Sequence, residues 1–458
     1  MADCMDQQLF NLARVMSITD LVTAGLGPDE AKAAVSFWST TATAVFLIGW
    51  ATGGLTFGMF GDRIGRVRTL TYTILLYSIF TGFSALSQGP WDYCLYRFLT
   101  GLGVGGVFAA AVSLLAETMP DNARPFTLGL MQALSAVGNC TAALMFVSLG
   151  LLELYGYLDP LKSVGLNAWR ILFLIGIAPA LLVIFIQRKL EEPISWRNAK
   201  AAADAGTGRK LGSYGDLFSG GWVRKHALLG MILAFVGVVG LWGIGFFAVD
   251  LQQNIFRPTF AAEAAQEYPI PETATAEEKA SLEKSRAGYV KGQGIIWAGI
   301  TSFAINVGAF FGMSSFSWLT SRIGRKPAFA VTFIAAAASV AILFMFMKTR
   351  IDIIWMSALM GFCLLALFGG YAIYLPELFP TRLRATGTSF CYNVGRFLAA
   401  SGPIALGYLT TSVFAFAKTT ETPDMPSRYA GLAMCSIFAI GLLVLPFLPE
   451  TKGKPLPE

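Results

Sequence analysis

The stretch Phe57 to Arg68, FGMFGDRIGRVR, closes a long apolar segment, and a related stretch, FSWLTSRIGRK, closes another at residues 316–326. Both contain the tetrapeptide RIGR. A second motif, Glu-x-x-Pro-x-x-x-Arg, also occurs twice, from Glu117 to Arg124 and from Glu377 to Arg384. Two different motifs repeated at nearly the same offset indicate a duplicated unit that spans more than half of the chain.

The composition is that of a membrane protein. Of the 458 residues, 55% are hydrophobic and only 14% are charged, and the mean hydropathy is +0.59. A soluble globular protein carries about 25% charged residues. The 48 glycines suit close helix packing in lipid. The sequence therefore predicts an all-α polytopic membrane protein.

About 20 apolar residues cross a bilayer as a helix, and the chain has twelve candidate segments of that kind. They are 1–19, 36–60, 68–87, 92–118, 126–152, 168–188, 224–255, 290–319, 327–347, 352–378, 387–415 and 429–448. A polar stretch at 189–223 divides them into an N-terminal half (1–188) and a C-terminal half (224–458) of six helices each. Duplicated membrane halves are typical of alternating-access transporters.

The first segment is unusually polar, because it contains Asp3, Asp6 and Arg14 together with several amides. Such a segment inserts poorly on its own. We interpret the first helix as truncated at its N-terminus, with an upstream part missing from the sequence. The alternative is a genuine polar half-helix that its neighbours hold in place.

Lys and Arg cluster in alternate loops, which argues for membrane topology rather than for a nucleic-acid partner despite the net charge of +6. Basic residues favour the cytoplasmic side. We therefore expect cytoplasmic termini and a multi-pass protein of the plasma (inner) membrane. The clusters are Arg63, Arg66 and Arg68; Arg124; the basic residues of 188–225; Arg322, Arg325 and Lys326; Arg382 and Arg384; and Lys452 and Lys454.

Cysteine and histidine usage argues against a metal site or an enzyme. The six cysteines fall in predicted spans without a CxxC or CxxH spacing, so we interpret them as small apolar packing residues. His226 is the only histidine. No nucleophile–base pair and no cofactor-binding loop is evident, so we expect neither an enzyme nor a cofactor.

Four motifs together resemble the major facilitator superfamily over essentially the whole chain. Gly58–Arg68 resembles the loop signature between helices two and three, and Arg97-x-x-x-Gly101-x-Gly103-x-Gly105 resembles the fourth-helix signature. Leu190–Trp196 (LEEPISW) is similar to the PESPRW motif after helix six, and residues 449–456 (PETKGKPL) to the PETKGK terminal signature. The resemblance implies twelve helices in two six-helix halves and secondary transport. Sugar porters and organic-acid symporters share these motifs, so they do not select a substrate.

The loop motifs predict a gate. Asp62 is expected at the positive N-terminus of a helix in the other half. Ion pairs among the neighbouring charges would hold one state closed, and Ser321, the counterpart of Asp62, predicts a weaker latch in the second copy. The alternative is solvated loop charges with little energy per pair. The candidate gating residues are Asp62, Arg63, Arg66, Glu117 and Arg124, and in the second copy Arg322, Arg325, Glu377, Arg382 and Arg384.

Arg396 is the clearest candidate for substrate binding. It follows Arg384 by 12 positions, about 18 Å along a helix, which places it near mid-membrane. Ionisable residues at that depth are usually functional, and a guanidinium can hold a carboxylate through two parallel hydrogen bonds. Tyr392 and Asn393 share its helix face. The alternative is a permanent pair between Arg396 and a membrane carboxylate.

Asp3 and Asp6 form a DxxD pair that resembles an acidic pair in organic-acid symporters. Burial and a second carboxylate favour protonation, so either residue is a candidate proton carrier, or one of the two only packs. Arg14 is a second anion contact or a vestibule charge. For Arg97 the family resemblance implies a part in proton movement, and helix-end anchoring is the alternative.

Further polar residues, Gln132, Asn306 and Tyr371, are expected to line the cavity. Helix ten, residues 369–377 (GGYAIYLPE), lacks the tryptophan of sugar porters, and residues 136–140 (AVGNC) lack the Gly-Pro motif of antiporters. We therefore predict proton-coupled symport of a small organic anion (a monocarboxylate, an aromatic acid or a sugar acid) by a monomer in the lipid bilayer. The alternatives are a sugar or polyol symporter and a non-transporting membrane sensor.

Overall fold

The computed structural model describes residues 1–458 except 155, 156, 159, 161–164, 209, 246, 273, 274, 400, 420–423 and 458. In this part of the chain the regular elements are all helical. The N-terminal half contains α1 (Ala2–Val22), α2 (Pro28–Arg63), α3 (Arg66–Ser84), α4 (Pro90–Thr118), α5 (Arg124–Leu154), α6 (Ala168–Ile175) and α7 (Ala180–Lys189). Two short helices, α8 (Ile194–Asp204) and α9 (Tyr214–Phe218), lie in the linker.

The C-terminal half begins with α10 (Gly221–Val239), which a π-helical turn (Gly240–Gly245) connects to α11 (Phe247–Glu267). The remaining helices are α12 (Ala276–Ile323), α13 (Arg325–Phe346), α14 (Arg350–Glu377), α15 (Arg384–Ala399), α16 (Ser401–Tyr408), α17 (Met425–Met434) and α18 (Ile437–Val444). Short 3₁₀ turns at Thr381–Leu383, Ala415–Ala417 and Leu445–Phe447 and a π turn at Leu409–Val413 complete the described elements.

Nine helical stretches among the described residues are long and apolar enough to cross a membrane. The predicted class, an all-α polytopic membrane protein, is confirmed. The three other predicted spans correspond to α1, to α3, and to α15 with α16. These helices are not both long enough and apolar enough to count as membrane spans. In α1 the reason is its charge, since Asp3, Asp6 and Arg14 lie within it. The count of twelve spans stays a prediction.

Helix pairs within each half are in backbone contact. A Cβ atom on Gly53 of α2 would overlap the carbonyl oxygen of Leu102 in α4. In the C-terminal half, a Cβ atom on Gly308 of α12 would overlap the carbonyl oxygen of Ala358 in α14. Only glycine permits this approach, which is the usual basis of tight helix pairing in lipid. The duplication thus extends from the loop motifs to the packing of equivalent helices.

One end of the helix bundle carries the repeated loops. We call it the RIGR face: the turns at Gly65 and Gly324, the linker, and the loops at 119–123 and 378–383. Most described side-chain hydrogen bonds that join the two halves lie near this face, for example from Arg66 Nη2 to the carbonyl of Thr381 at 2.7 Å. Deeper in the bundle the halves separate around a central cavity.

Candidate functional site

The central cavity has a volume of about 210 Å³ and lies between the two halves. Its polar lining comes from α1, α5, α12 and α15: Asp3, Gln7, Gln8, Asn11, Gln132, Ser135, Asn139, Ser302, Asn306, Tyr392 and Arg396. Trp50, Phe108 and Phe368 supply aromatic walls. A mostly apolar pocket with a few convergent polar groups is the usual form of a small-molecule site.

Arg396 is the charged group best placed to bind a ligand. Its guanidinium carbon lies 3.8 Å from the ring centroid of Trp50 and 4.4 Å from that of Tyr392. Stacking on aromatic rings favours the cation but leaves its N–H groups unused. Nε and Nη1 are buried and have no hydrogen-bond partner among the described residues. Since none of the described carboxylates pairs with it, the permanent ion pair considered as an alternative receives no support.

Tyr392 joins this cation to an aromatic wall. Its ring stacks on Phe108 with centroids 4.2 Å apart and an interplanar angle of 18°. Phe368 meets the same ring edge-on at 6.3 Å. Because Phe108 belongs to the N-terminal half, the stack crosses between the halves beside Arg396. The Tyr392 ring is therefore already in contact with Phe108, Phe368 and the Arg396 guanidinium.

Amide side chains form the opposite, polar part of the lining. Asn139 of α5 donates through Nδ2 to Oδ1 of Asn306 in α12 at 3.0 Å, and Asn306 donates to the carbonyl of Ser302 at 2.9 Å. This chain of hydrogen bonds connects the halves. It leaves acceptor and donor capacity for a bound ligand, since an amide has four hydrogen-bonding positions.

Three predicted substrate residues do not line the cavity. Asn393 is buried against α2: its Nδ2 donates to the carbonyl and hydroxyl of Ser389, and its amide fills the space above Gly54. Tyr371 lies behind the cavity wall, where its hydroxyl donates to the carbonyl of Leu233 at 2.9 Å. Arg14 donates to Thr43 Oγ1 at 2.6 Å, closer to the end of the bundle opposite the RIGR face.

The DxxD pair is divided between two environments. Asp3 lines the cavity, whereas Asp6 is fully buried beside α3, where Thr81 Oγ1 donates to its Oδ1 at 2.6 Å. The other oxygen, Oδ2, has no partner among the described residues. Asp6 lies within electrostatic reach of Arg97, which is also fully buried.

Arg97 is held in an unusual place for a cation. Its Nε donates to Ser84 Oγ at 3.0 Å, its Nη1 has no partner among the described residues, and its guanidinium lies 4.7 Å from the ring centroid of Phe173. A cation this deep needs a nearby negative charge. Among the described residues, Asp6 is a carboxylate within electrostatic reach of Arg97.

At the RIGR face, Glu117 bridges two arginines from different halves. Arg66 Nη2 lies 2.9 Å and Arg384 Nη1 2.7 Å from the same oxygen, Oε1, and all three side chains are buried. Arg66 also pairs with Asp62 at 3.1 Å. A buried network of this kind contributes little net stability, but removing one member is costly because an unpaired charge remains.

Asp62 reaches into the other half. Its Oδ1 accepts from the backbone N–H of Ala385 at 3.1 Å, and its Oδ2 accepts from the N–H and hydroxyl of Thr386 at 2.8 and 2.6 Å. A carboxylate there satisfies free N–H groups and the positive end of the α15 dipole. In the second copy, Ser321 donates to Ser317 in its own helix at 2.8 Å.

The predicted ion-pair groupings are wrong in part. Arg124 pairs with Asp121 at 2.5 Å rather than with Glu117, and Arg63 donates to the carbonyl of Gly212 in the linker. The reason is local: Asp121 precedes Arg124 by three residues and satisfies it, whereas Thr381 holds the equivalent position before Arg384. Arg384 is therefore left to reach Glu117.

Two further groupings differ in the second copy. Glu377 pairs with Arg325 through both oxygens, at 2.8 and 3.1 Å. Arg322 instead stacks on Trp318 at 4.9 Å, and Arg382 pairs with Asp216 of the linker at 2.8 Å. These positions place Arg325, rather than Arg322, in the role of Arg66.

Sequence reasoning missed a pair of carboxylate caps. Glu192 accepts from the N–H of Arg66 at 2.7 Å, and Glu450 accepts from the N–H of Arg325 at 2.9 Å. Each helix follows a glycine with positive φ, +119° at Gly65 and +98° at Gly324, which turns the chain so that the first N–H groups point at the carboxylate. The signal was present, because LEEPISW and PETKGK both carry the glutamate after a half's last span.

Glu450 lies beyond the last apolar helix, so its ionisation affects folding stability directly. Partial burial opposes the charge, but three backbone hydrogen bonds and the charge of Arg325 outweigh it and lower the pKa of Glu450 below its ordinary value. Its contribution to stability is therefore complete above about pH 4.3, the usual pKa of Glu, and is lost as the pH falls through the lowered pKa.

We expect Glu450→Gln to lower the Tm at pH 7, with a difference from the unsubstituted protein that shrinks below about pH 4. Intrinsic fluorescence during heating in detergent measures it. Glu267→Gln, at an exposed position, is the matched control and should leave the Tm unchanged. A deficit in Glu450→Gln that persists at pH 3 would contradict the role of the charge.

Sequence reasoning also missed Gln7, Gln8 and Asn11, which line the cavity; Gln7 and Gln8 lie one helical turn before Asn11 in α1. Their spacing of three to four residues was the available signal. For these three amides, unlike the charged side chains of the same segment, the prediction from sequence considered only the cost of insertion. The same residues are better explained as the polar wall of the site.

Relatives of this chain are transporters. It is 30% identical over 413 residues, 90% of this chain and 86% of the relative, to a Haemophilus influenzae protein described as a metabolite transport protein. It is 27% identical over 367 residues, 80% of this chain and 76% of the relative, to the cis,cis-muconate transport protein of Acinetobacter baylyi. The expectation that the chain is not an enzyme is confirmed.

The fold is also found among solved structures. The proton:xylose symporter XylE aligns over 99% of this chain and 94% of its own with a TM-score of 0.66 at 18% identity, which establishes the fold alone. The family model described as "Sugar (and other) transporter" matches residues 13–212 and 287–458, well over half of the chain. The chain therefore belongs to the sugar (and other) transporter family, within the major facilitator superfamily.

Proposed function

We propose that this transporter carries a small organic anion together with protons by alternating access. The observation that supports it best is the Arg396 guanidinium, which faces the central cavity with two buried N–H-bearing nitrogens that lack partners in the described part of the chain. A carboxylate supplies two acceptors in the geometry a guanidinium requires. The aromatic residues of the lining, Trp50, Phe108 and Phe368, suit a ligand with an apolar body, and the muconate relative is named for a carboxylate.

The amide-rich lining also suits hydroxyl groups, so a sugar or polyol is the second candidate. A thermal-shift screen in detergent distinguishes the two. A ligand at 100 times its Kd stabilises by about 2.7 kcal/mol. Aliphatic, aromatic and sugar acids should raise the Tm, whereas stabilisation by neutral sugars alone would overturn the organic-anion proposal. Binding without flux in proteoliposomes would instead favour a membrane sensor.

Asp6 is the proposed proton carrier. Its Oδ2, for which the described residues offer no partner, can take a proton, and protonation would remove the negative charge near Arg97. Since Asp6 does not line the cavity, this protonation is separate from the ligand contact. Asp3 does line the cavity, and its proposed role is to contact the ligand.

We expect Asp6→Asn to keep counterflow exchange but to lose accumulation driven by a proton gradient, because a neutral amide removes the titratable group while keeping its shape. Radiolabelled uptake into proteoliposomes, with and without a pH gradient, measures both. Asp3→Asn is the comparison variant and should change the KM for the ligand while leaving accumulation coupled. Gradient-driven accumulation in Asp6→Asn would exclude Asp6.

The RIGR face is the proposed closed gate. The Glu117 bridge and the Asp62 cap join the halves there, so breaking them would open the cavity toward that face. Basic residues cluster at the same end, which favours its placement in the cytoplasm. We accordingly propose a monomer in the plasma (inner) membrane with both termini cytoplasmic.

A further inference from the structure

A second cavity lies at the RIGR face, away from the central site. It is a groove of about 350 Å³ between the first turns of α3 and the end of α7, lined by Val67, Arg68, Thr71, Tyr72, Gln187, Leu190 and Glu192. Substrate binding and gating do not use it. We call it the α3–α7 groove.

The groove has unused polar groups. Thr71 is only 3% exposed, and its hydroxyl is buried without a hydrogen-bond partner among the described residues. An unpaired buried hydroxyl costs free energy, which a polar ligand that reaches Thr71 would recover. Arg68 is exposed, and Arg188 and Lys189 end α7 beside the groove.

One carboxylate lines the groove, but it is already occupied. Glu192 accepts from the backbone N–H groups of Arg66 at 2.7 Å and Arg68 at 3.1 Å. Its negative charge therefore offsets the partial positive charge at the N-terminus of α3, and it does not neutralise the side chain of Arg68. The groove keeps a net positive character from the remaining basic groups.

The groove continues into lipid-facing helix surfaces. Tyr72 is 54% exposed at its edge, and α7 presents Leu181, Ile184 and Phe185 to the outside. Aromatic side chains of this kind mark the level of the lipid headgroups. An occupant that reaches Arg68 from the bilayer would have a phosphate at the groove and apolar chains along α7.

We propose that the α3–α7 groove binds the headgroup of an anionic phospholipid. The phosphate contacts Arg68 and the hydroxyl of Thr71, and the basic end of α7 adds positive potential that favours an anionic over a zwitterionic headgroup. Basic pockets between membrane helices bind lipid headgroups by this chemistry. A phosphate ester free in solution shares the headgroup chemistry but not the acyl chains.

Native mass spectrometry of the purified protein, with added phosphatidylglycerol or phosphatidylcholine, tests the proposal. We expect phosphatidylglycerol to bind more tightly than phosphatidylcholine, and Arg68→Ala to weaken it about fivefold, the equivalent of about 1 kcal/mol per basic residue near the surface. Arg224→Ala removes an exposed cation at the start of α10 and is the matched control. Its effect should be below twofold.

Thr71→Val gives a second, independent variant, because it removes only the buried hydroxyl and keeps the side-chain shape. It should weaken phosphatidylglycerol binding while leaving the Tm without lipid unchanged or higher. Equal binding of the two lipids, or equal losses in Arg68→Ala and Arg224→Ala, would overturn the proposal. Displacement of the lipid by free glycerol 3-phosphate at similar concentration would assign the groove to soluble phosphate esters and overturn the lipid assignment.

Discussion

Replacing Arg396 by alanine should reduce the affinity for organic acids by about 30-fold or more. Truncating one member of a buried, hydrogen-bonded charge pair costs about 2–5 kcal/mol. Arg396 is the only cation among the described lining residues. In the alanine variant, a bound carboxylate would therefore face a cavity lining without a cation. Thermal shift or equilibrium binding in detergent measures the loss.

Two variants sharpen this test. Arg396→Lys keeps the charge but not the planar pair of donors, so it should recover only part of the affinity. Arg14→Ala removes a cation that the structure keeps outside the cavity lining and should leave affinity within about twofold. Full acid affinity in Arg396→Ala would make Arg396 a structural residue.

Replacing Glu117 by glutamine should open the RIGR face. The substitution leaves Arg384 buried without a carboxylate partner and weakens the hold on Arg66. Breaking a buried ion pair in this way costs about 3–5 kcal/mol. A shift of that size moves a conformational equilibrium by more than about 100-fold.

The opening is measured by electron–electron distances between spin labels. The labels would be attached at the exposed positions Asn122 and Ile323, as Asn122→Cys and Ile323→Cys, after replacement of the six native cysteines. Glu191→Gln is the control, because Glu191 is 82% exposed and its ion pair is with Arg197 at the surface. An unchanged distance distribution in Glu117→Gln would remove the gate from the mechanism.

Spacing along the sequence predicted the position of Arg396, but it did not predict which neighbouring side chains face the cavity. Tyr392 and Asn393 both precede Arg396 by one helical turn, yet Tyr392 lines the cavity and Asn393 packs over Gly54. One residue rotates a helix position by about 100°. Which side faces the cavity depends on the neighbouring helix, and a single sequence does not contain that information.

The sequence repeat was also more informative about the fold than about which charged residues form ion pairs. It predicted equivalent loops at equivalent places, and the caps by Glu192 and Glu450 follow that symmetry. The ion pairs follow it only in part. Arg66 and Arg325 pair with the equivalent glutamates of their own halves, whereas Arg384 crosses to Glu117 while Arg124 stays with Asp121. Such a difference depends on distances between the halves, which the order of residues along a chain does not specify.

The glycine contacts within each half have a consequence for how the protein unfolds locally. Where Gly53 meets Leu102, and where Gly308 meets Ala358, backbone lies on backbone and no water can enter without separating whole helices. At the RIGR face, the seam between the halves is joined by hydrogen bonds and ion pairs whose partners water can replace. Amide hydrogen exchange should therefore divide the molecule into two slowly exchanging blocks that open one at a time, with the first turn of α15 exchanging well before the middle of α4 or α14.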